Sequence, residues 1–333
     1  MEKPKLYTAG TRKRARQVFR HESTTLVIVL LALIFGIGAL TRGGTLTATN
    51  AANVLLQSSI RGIAAVGQAL VILTAGIDVS VGGNALFCSA LGGALMTSSE
   101  LSIVSHPLPL GLVVLIMLVA GIGWGAVNGT LVSRVGIPAL ISTLGLWQIT
   151  TGAAFEVTLG RTIGALPERL AWWGQGTVGG VPVPVIIFIA VAIIAYYVLN
   201  YTTYGRSIYA TGGNPVSAWL SGININRVLF SVYVIAGFLA GLAAFIQLGR
   251  VMSASMMGLE GLELDSIAAV TIGGVSLFGG RGNLIGVIIG SLIIGVVNNG
   301  LSVLKAGPPA IRIAKGAIII LAVAVDTVRR RRG

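Results

Sequence analysis

Five ionisable residues stand inside or beside long apolar stretches of the chain: Arg61, Asp78, Asp265, Arg312 and Lys315. A charged group at the centre of a membrane helix costs about 2.5–3.5 kcal/mol, so such groups normally face a partner or a cavity. Two roles are open to the carboxylates. Asp78 or Asp265 could carry a coupling proton, as buried acids do in pumps. Alternatively each could sit at a helix end, where a carboxylate gains about 0.3–1 kcal/mol from free amides and the dipole. Asp78, between Gly76-Ile77 and Ser80, has the setting of such an end. Arg312 and Lys315, three residues apart, fit side chains that snorkel from a helix start to the outer interface.

Catalytic sets are not apparent. There is no G-x-x-x-x-G-K-[ST] loop and no glycine is followed directly by lysine, so no P-loop cradles a nucleotide. His21 and His106 lack Cys, Asp or Glu at ligand spacing and read as interfacial residues rather than metal ligands. Cys88 is the lone cysteine, lies in an apolar stretch and reads as packing. Gly273, Gly274, Gly279, Gly280 and Gly282 imitate a dinucleotide fingerprint, but they follow an apolar helix and lack a βαβ setting. A membrane-embedded enzyme would need a convergent nucleophile, base or metal set, so no catalytic residue, metal or cofactor is expected in this chain.

The elements that hold these residues are membrane helices. Of 333 residues 54% are hydrophobic and 10% charged, with a mean hydropathy of +0.90, whereas soluble domains carry roughly 25% charged residues. Apolar runs of about 20 residues, enough to cross a hydrocarbon core roughly 30 Å thick, predict spans near 26–41, 53–75, 80–98, 108–130, 138–157, 184–202, 228–248, 264–280, 284–303 and 311–327. The fold class is therefore all-α, a polytopic bundle of about ten transmembrane helices. Its 47 glycines suit close helix approach. The interval from Asn53 to Met96, interrupted by Arg61, Asp78 and glycines, is where a broken or re-entrant helix is expected.

The formal charge of +13 raises nucleic-acid binding, but its position argues against it. Positive charge collects at Lys3, Lys5, Arg12, Lys13, Arg14, Arg16 and Arg20 and at Arg329 to Arg332, beside apolar segments. With both termini in the cytoplasm, Arg134, Arg206, Arg227 and Arg281 also lie inside, while Arg42, Arg161, Arg169, Arg250 and Lys305 lie outside, in line with the positive-inside rule. The division is a basic cytoplasmic segment 1–25, a transmembrane domain 26–328 and a basic tail 329–333. The first apolar segment is expected to remain as a helix, since the basic region before Leu26 is longer than that of a usual signal peptide and the alanines after Leu40 make a poor cleavage site.

Two further patterns concern architecture. Residues 128–139, starting Asn128-Gly129, align without gaps to 299–310, starting Asn299-Gly300, and five predicted helices separate them, as an inverted repeat requires. The polar stretch 203–227 between two clear spans starts a turn or helix at Asn214-Pro215 and has a short amphipathic look over Val216 to Leu220. It is either a docking surface or a solvated connector. In the external segment 158–183, Trp172 and Trp173 suit the interfacial aromatic belt.

Three separated motifs carry a resemblance: Gly76-Ile77-Asp78-Val79-Ser80-Val81-Gly82; Gly212-Gly213-Asn214-Pro215 with Ser221-Gly222-Ile223; and Leu264-Asp265 leading to Gly273-Gly274 and Gly279-Gly280-Arg281-Gly282. In this order they resemble the ribose-type permeases of bacterial ABC sugar importers, from about Leu26 to Arg329. Val79 departs from the more usual leucine, and the basic amino terminus is not part of the pattern. The resemblance implies a multi-pass subunit of the bacterial inner membrane, paired as a homodimer or with a paralogue. It also implies a cytoplasmic ATPase with tandem nucleotide-binding domains, on which ATP and Mg would sit, and a periplasmic or lipid-anchored sugar-binding protein. By the same resemblance Ala210 to Ile223 is the segment gripped by the ATPase, through Gly212, Gly213, Asn214, Pro215, Ala218, Ser221, Gly222 and Ile223. Polarity places Asn53, Gln57, Ser58, Gln68 and Asn84 along the translocation pathway, with Asp78, Ser80, Asp265, Gly273 and Gly274 beside them. The substrate is expected to be a ribose-like pentose or a hexose; autoinducer-2, nucleosides, amino acids and a proton-coupled mechanism are the alternatives.

Overall fold

The computed structural model describes residues 9–41 and 43–332; Lys3, Lys5 and Arg42, assigned above to the two sides of a membrane, lie outside the described residues. The chain opens with α1 (Ala9–Leu40) and α2 (Ala48–Leu73), the latter capped by the Thr47 side chain accepting from Asn50 N. Then come α3 (Ser80–Met96) and α4 (Leu110–Thr130), which passes directly into a π-turn, Leu131–Val135. After α5 (Ala139–Thr158), a 3-10 turn leads to α6 (Ala171–Gln175) and a two-residue hairpin, β1 (Thr177–Val178) with β2 (Val181–Pro182). The remainder is α7 (Val183–Tyr201), α8 (Thr203–Gly213), α9 (Pro215–Leu220), α10 (Ile225–Val251), α11 (Leu262–Ile272), α12 (Leu284–Val303) and α13 (Pro308–Arg332). Prolines 109, 138 and 182 precede helix starts, where their missing N–H is not needed.

Among the described residues five helices are long and apolar enough to cross a membrane: α2, α4 with its π-turn, α7, α10 and α12. Thr24–Leu40 and α3 are shorter apolar helices. Burial separates the long helices into layers. The apolar windows of α2, α10 and α12 are 78%, 61% and 67% buried, against 22% for α4 and 33% for α7, so the first three are the centre and the last two the periphery. Small residues let α4 and α10 approach closely, with Gly121 and Gly125 of α4 lying on the backbone of Tyr233, Gly237 and Gly241 of α10. Such stripes let dispersion and backbone contact do what hydrophobic exclusion cannot do in lipid.

Two segments differ from the sequence expectation. The predicted span 264–280 is helical only as α11, 11 residues, which at 1.5 Å per residue is about 17 Å long, half a membrane. It stops because Gly273 packs on Gly286, and positive φ at Gly274, Gly279 and Gly280 turns the chain back into α12. The second difference lies between Asn53 and Met96. There α2 runs unbroken past Arg61, and the interruption is confined to the Thr74–Val79 connection, with Ala75 left-handed at φ 62°.

Candidate translocation and coupling sites

Arg61 occupies the middle of α2, and its Nε donates to Asp265 Oδ2 at 2.7 Å. From α13, Lys315 Nζ lies 2.9 Å from Asp265 Oδ1, and Asn298 of α12 donates to Oδ2 at 3.4 Å. One carboxylate, 3% exposed, thus joins four helices and answers two cations. The reading of Lys315 as a snorkelling side chain is corrected: the side chain is 18% exposed and turns inward to the Asp265 carboxylate, which would otherwise lack part of its counter-charge in a poorly solvated place. Arg312 does reach outward, to Glu260 at 2.6 Å, with both side chains more than half exposed. Beside Asp265 a cleft of about 50 Å³ is lined by Gln57, Arg61, Gln247, Arg250 and Glu260. That volume holds a water or two.

Asp78 accepts from Ser80 N at 2.9 Å and from Ser80 Oγ at 2.6 Å, so its carboxylate organises the start of α3. With its amide turned to satisfy both partners, buried Gln68 donates to Asp78 O at 3.0 Å and accepts from Asp78 N at 3.1 Å, fastening the connection to α2. The network continues beyond any sequence motif. Asn128 of α4 donates to Ser80 Oγ at 2.7 Å, Ser142 of α5 donates to Asn128 Oδ1 at 3.0 Å, and Thr143 donates to Ile77 O at 3.2 Å. Asn84 donates to Gly121 O at 3.1 Å. Asn128 and its counterpart in the internal echo, Asn299, are both buried, and Asn299 exchanges hydrogen bonds with Asn50 at 2.9 Å.

At the end of the bundle where α2 finishes, α8 and α9 form a compact unit. Gly212 lies against Leu73 O so closely that a Cβ would collide with backbone, and Gly280 N donates to Leu73 O at 2.9 Å. Tyr209 of α8 donates to Gly282 O at 3.1 Å; burial pushes its phenol pKa up, so the proton is held at neutral pH. Asn214 caps α9 by accepting from Ser217 N at 3.0 Å, and Pro215 follows at the first helical position. The helix closes with Gly222 at φ +83° and Ile223 N donating to Ala218 O at 3.1 Å, a Schellman-type end. Ala218 is buried, while Val216, Trp219 and Leu220 are 65%, 66% and 73% exposed, leaving a three-residue apolar knob held by a rigid base.

A family profile described as branched-chain amino acid transport system / permease component matches residues 50–323. The chain belongs to that permease family. Among similar proteins, the ribose import permease protein RbsC of Escherichia coli K12 is 40% identical over 304 residues, 90% of this chain and 92% of the relative. The fructose import permease protein FrcC of Rhizobium meliloti is 36% identical over 93% of this chain and 87% of its own. The D-allose transport system permease protein AlsC of Escherichia coli K12 is 35% identical over 91% and 90%. No solved structure matches significantly.

Within this permease the residues assigned to a pathway from polarity do not form one surface. Asn53 and Gly274 are exposed, whereas Gln68, Asp78, Ser80 and Asn84 are buried in the network that joins α2 to α5, and Gly273 is buried at the turn after α11. Gln57 and Asp265 meet at the small cleft, and Ser58 Oγ lies next to Gly295 of α12 without a hydrogen-bond partner. Asn128, Ser142, Asn298 and Gln247 were not singled out in the sequence. Asn128 alone carried a signal, as the first residue of the internal echo.

Proposed function

We propose that this chain is the membrane-spanning subunit of an ATP-driven importer that passes a monosaccharide, a ribose-like pentose or a hexose, through alternating access. The relatives named for ribose, fructose and D-allose import support the substrate class. The observation that carries the mechanism is the α8–α9 unit. Its exposed knob of Val216, Trp219 and Leu220 suits a groove on a partner, and its base rests on the ends of α2 and the 279–282 turn, so a push on α9 reaches the bundle core as displacement. The partner is a cytoplasmic ATPase with tandem nucleotide-binding domains, and ATP and Mg bind there.

In this reading α1 to α5, α7, α10, α11 with its following turn, α12 and α13 make ten passes in the bacterial inner membrane, with both termini cytoplasmic. The helix–turn–proline pattern at Gly136-Ile137-Pro138 and at Gly307-Pro308 supports an inverted repeat. Two copies, or this chain and a paralogue, flank the pathway, and a binding protein delivers sugar to the outer side.

The test is uptake of labelled pentoses and hexoses into vesicles holding the permease, its ATPase and its binding protein. ATP-dependent accumulation of one of these sugars is expected. Accumulation driven by a pH gradient alone would overturn the reading.

A further inference from the structure

We infer that the groove between the π-turn of α4 and the start of α10 is a binding site for an anionic glycerophospholipid, with Arg134 holding the phosphate. The groove is shallow and open along one side, with a volume of about 420 Å³, and is lined by Ala126, Val127, Thr130, Leu131, Arg134 and Phe230. Its walls are apolar apart from one hydroxyl and one guanidinium. The Arg134 guanidinium carbon stands 5.9 Å from the centre of the Phe230 ring, and among the described residues Arg134 has no carboxylate partner. Arg227, also exposed, lies three residues before Phe230 and therefore on the same face of α10.

The local backbone builds this slot. Gly129 has its Cα close to Phe230, with a Cβ position only 2.9 Å from Phe230 O, so α4 and α10 approach without side chains between them. Directly after, Leu131–Val135 widens from α to π geometry and ends at Gly136 with φ 80°. Such π-turns are rare and recur at functional sites.

The occupant follows from charge and from what continues the groove. Above it, Leu112, Leu115, Val119 and Val127 of α4 are 45%, 57%, 56% and 41% exposed at spacings of three, four and eight residues, one apolar stripe along the helix. A molecule that matches both parts has a long hydrocarbon chain for the stripe and a negative head for Arg134 and Arg227. Basic pockets between membrane helices recognise anionic lipid headgroups by this combination. A soluble phosphate would fill the head position only.

The experiment uses delipidated full-length protein in detergent. It is titrated with phosphatidylglycerol, with phosphatidylcholine of the same chains and with glycerol phosphate, and bound lipid is counted by native mass spectrometry. Phosphatidylglycerol is expected to be retained in preference to phosphatidylcholine. Arg134→Gln should weaken it about fivefold, Arg134→Lys should keep most of it, and Arg161→Gln, at an exposed site elsewhere, should leave it unchanged. Equal retention of the two lipids, equal binding by Arg134→Gln, or displacement by glycerol phosphate at lipid-equivalent concentration would overturn the assignment. So would rapid disulfide formation between two chains carrying Val127→Cys in the membrane, because a second copy would then cover the groove.

Discussion

Arg61, Asp265 and Lys315 come from three helices far apart in sequence, and their charges do not balance: two cations share one acid. Removing one member of a buried ion group is costly, about 3–5 kcal/mol, because the remaining charge loses its partner in a poorly solvated place. Asp265→Asn should therefore lower the thermal unfolding temperature of the purified protein markedly, and adding Lys315→Met should recover part of the loss. If both variants melt like the wild type, the group does not hold the helices. A smaller effect belongs to Asn128→Ala, which leaves Ser80 and Ser142 without their shared partner and should cost about 1–3 kcal/mol in the same assay. That Arg61 and Asp265 face a partner was legible because ionisable residues in apolar runs are conspicuous and costly without one. The inward turn of Lys315 was not, since a lysine near a helix start reads the same whether it snorkels or pairs. The bonds made by Asn128, and by Gln68, which polarity had placed on the pathway, were hidden for a related reason: hydrogen bonding between distant helices leaves no periodicity in the chain.

Helix capping is local, so the short helix α9 could be read from Asn214-Pro215 and was found with Asn214 as its cap. The long spans were also legible, because each needs a continuous apolar run. The end of α11 was not. Its apolar run continues to Leu277 and Phe278, and what stops it is the fit of Gly273 against Gly286, a contact between helices that hydropathy does not encode. At this scale Gly212→Val should separate α8 from the end of α2, since the added side chain meets backbone rather than a movable side chain. The expected result is a protein that still inserts and binds its ATPase but shows ATP hydrolysis no longer linked to uptake; unaltered coupling would show that α8 is not a rigid base. Trp219→Asp acts on the other face. Trp219 is 66% exposed, so folding should be unchanged while co-purification with the ATPase is lost. Retained co-purification would move the docking surface elsewhere.

Across the whole molecule, the buried centre of α2, α10 and α12 is tied by polar networks at two levels, and no cluster of metal-ligating side chains occurs among the described residues. In the proposed function, energy enters through a partner ATPase. On that proposal the exposed apolar knob on α9 is where the ATPase would press, and the α8 contacts with the end of α2 are what would carry the push into the bundle. Membership in the permease family was legible from motifs because they mark backbone-defined places: the α2–α3 connection, the α8–α9 turn and the break after α11. A pathway lining was not legible, since polar residues inside membrane proteins serve packing networks as often as they face solute. The most direct measurement compares solute accumulation in vesicles holding the permease alone with vesicles that also hold the ATPase, the binding protein and ATP. Accumulation only in the complete system is predicted; concentration of sugar by the permease alone would contradict the account.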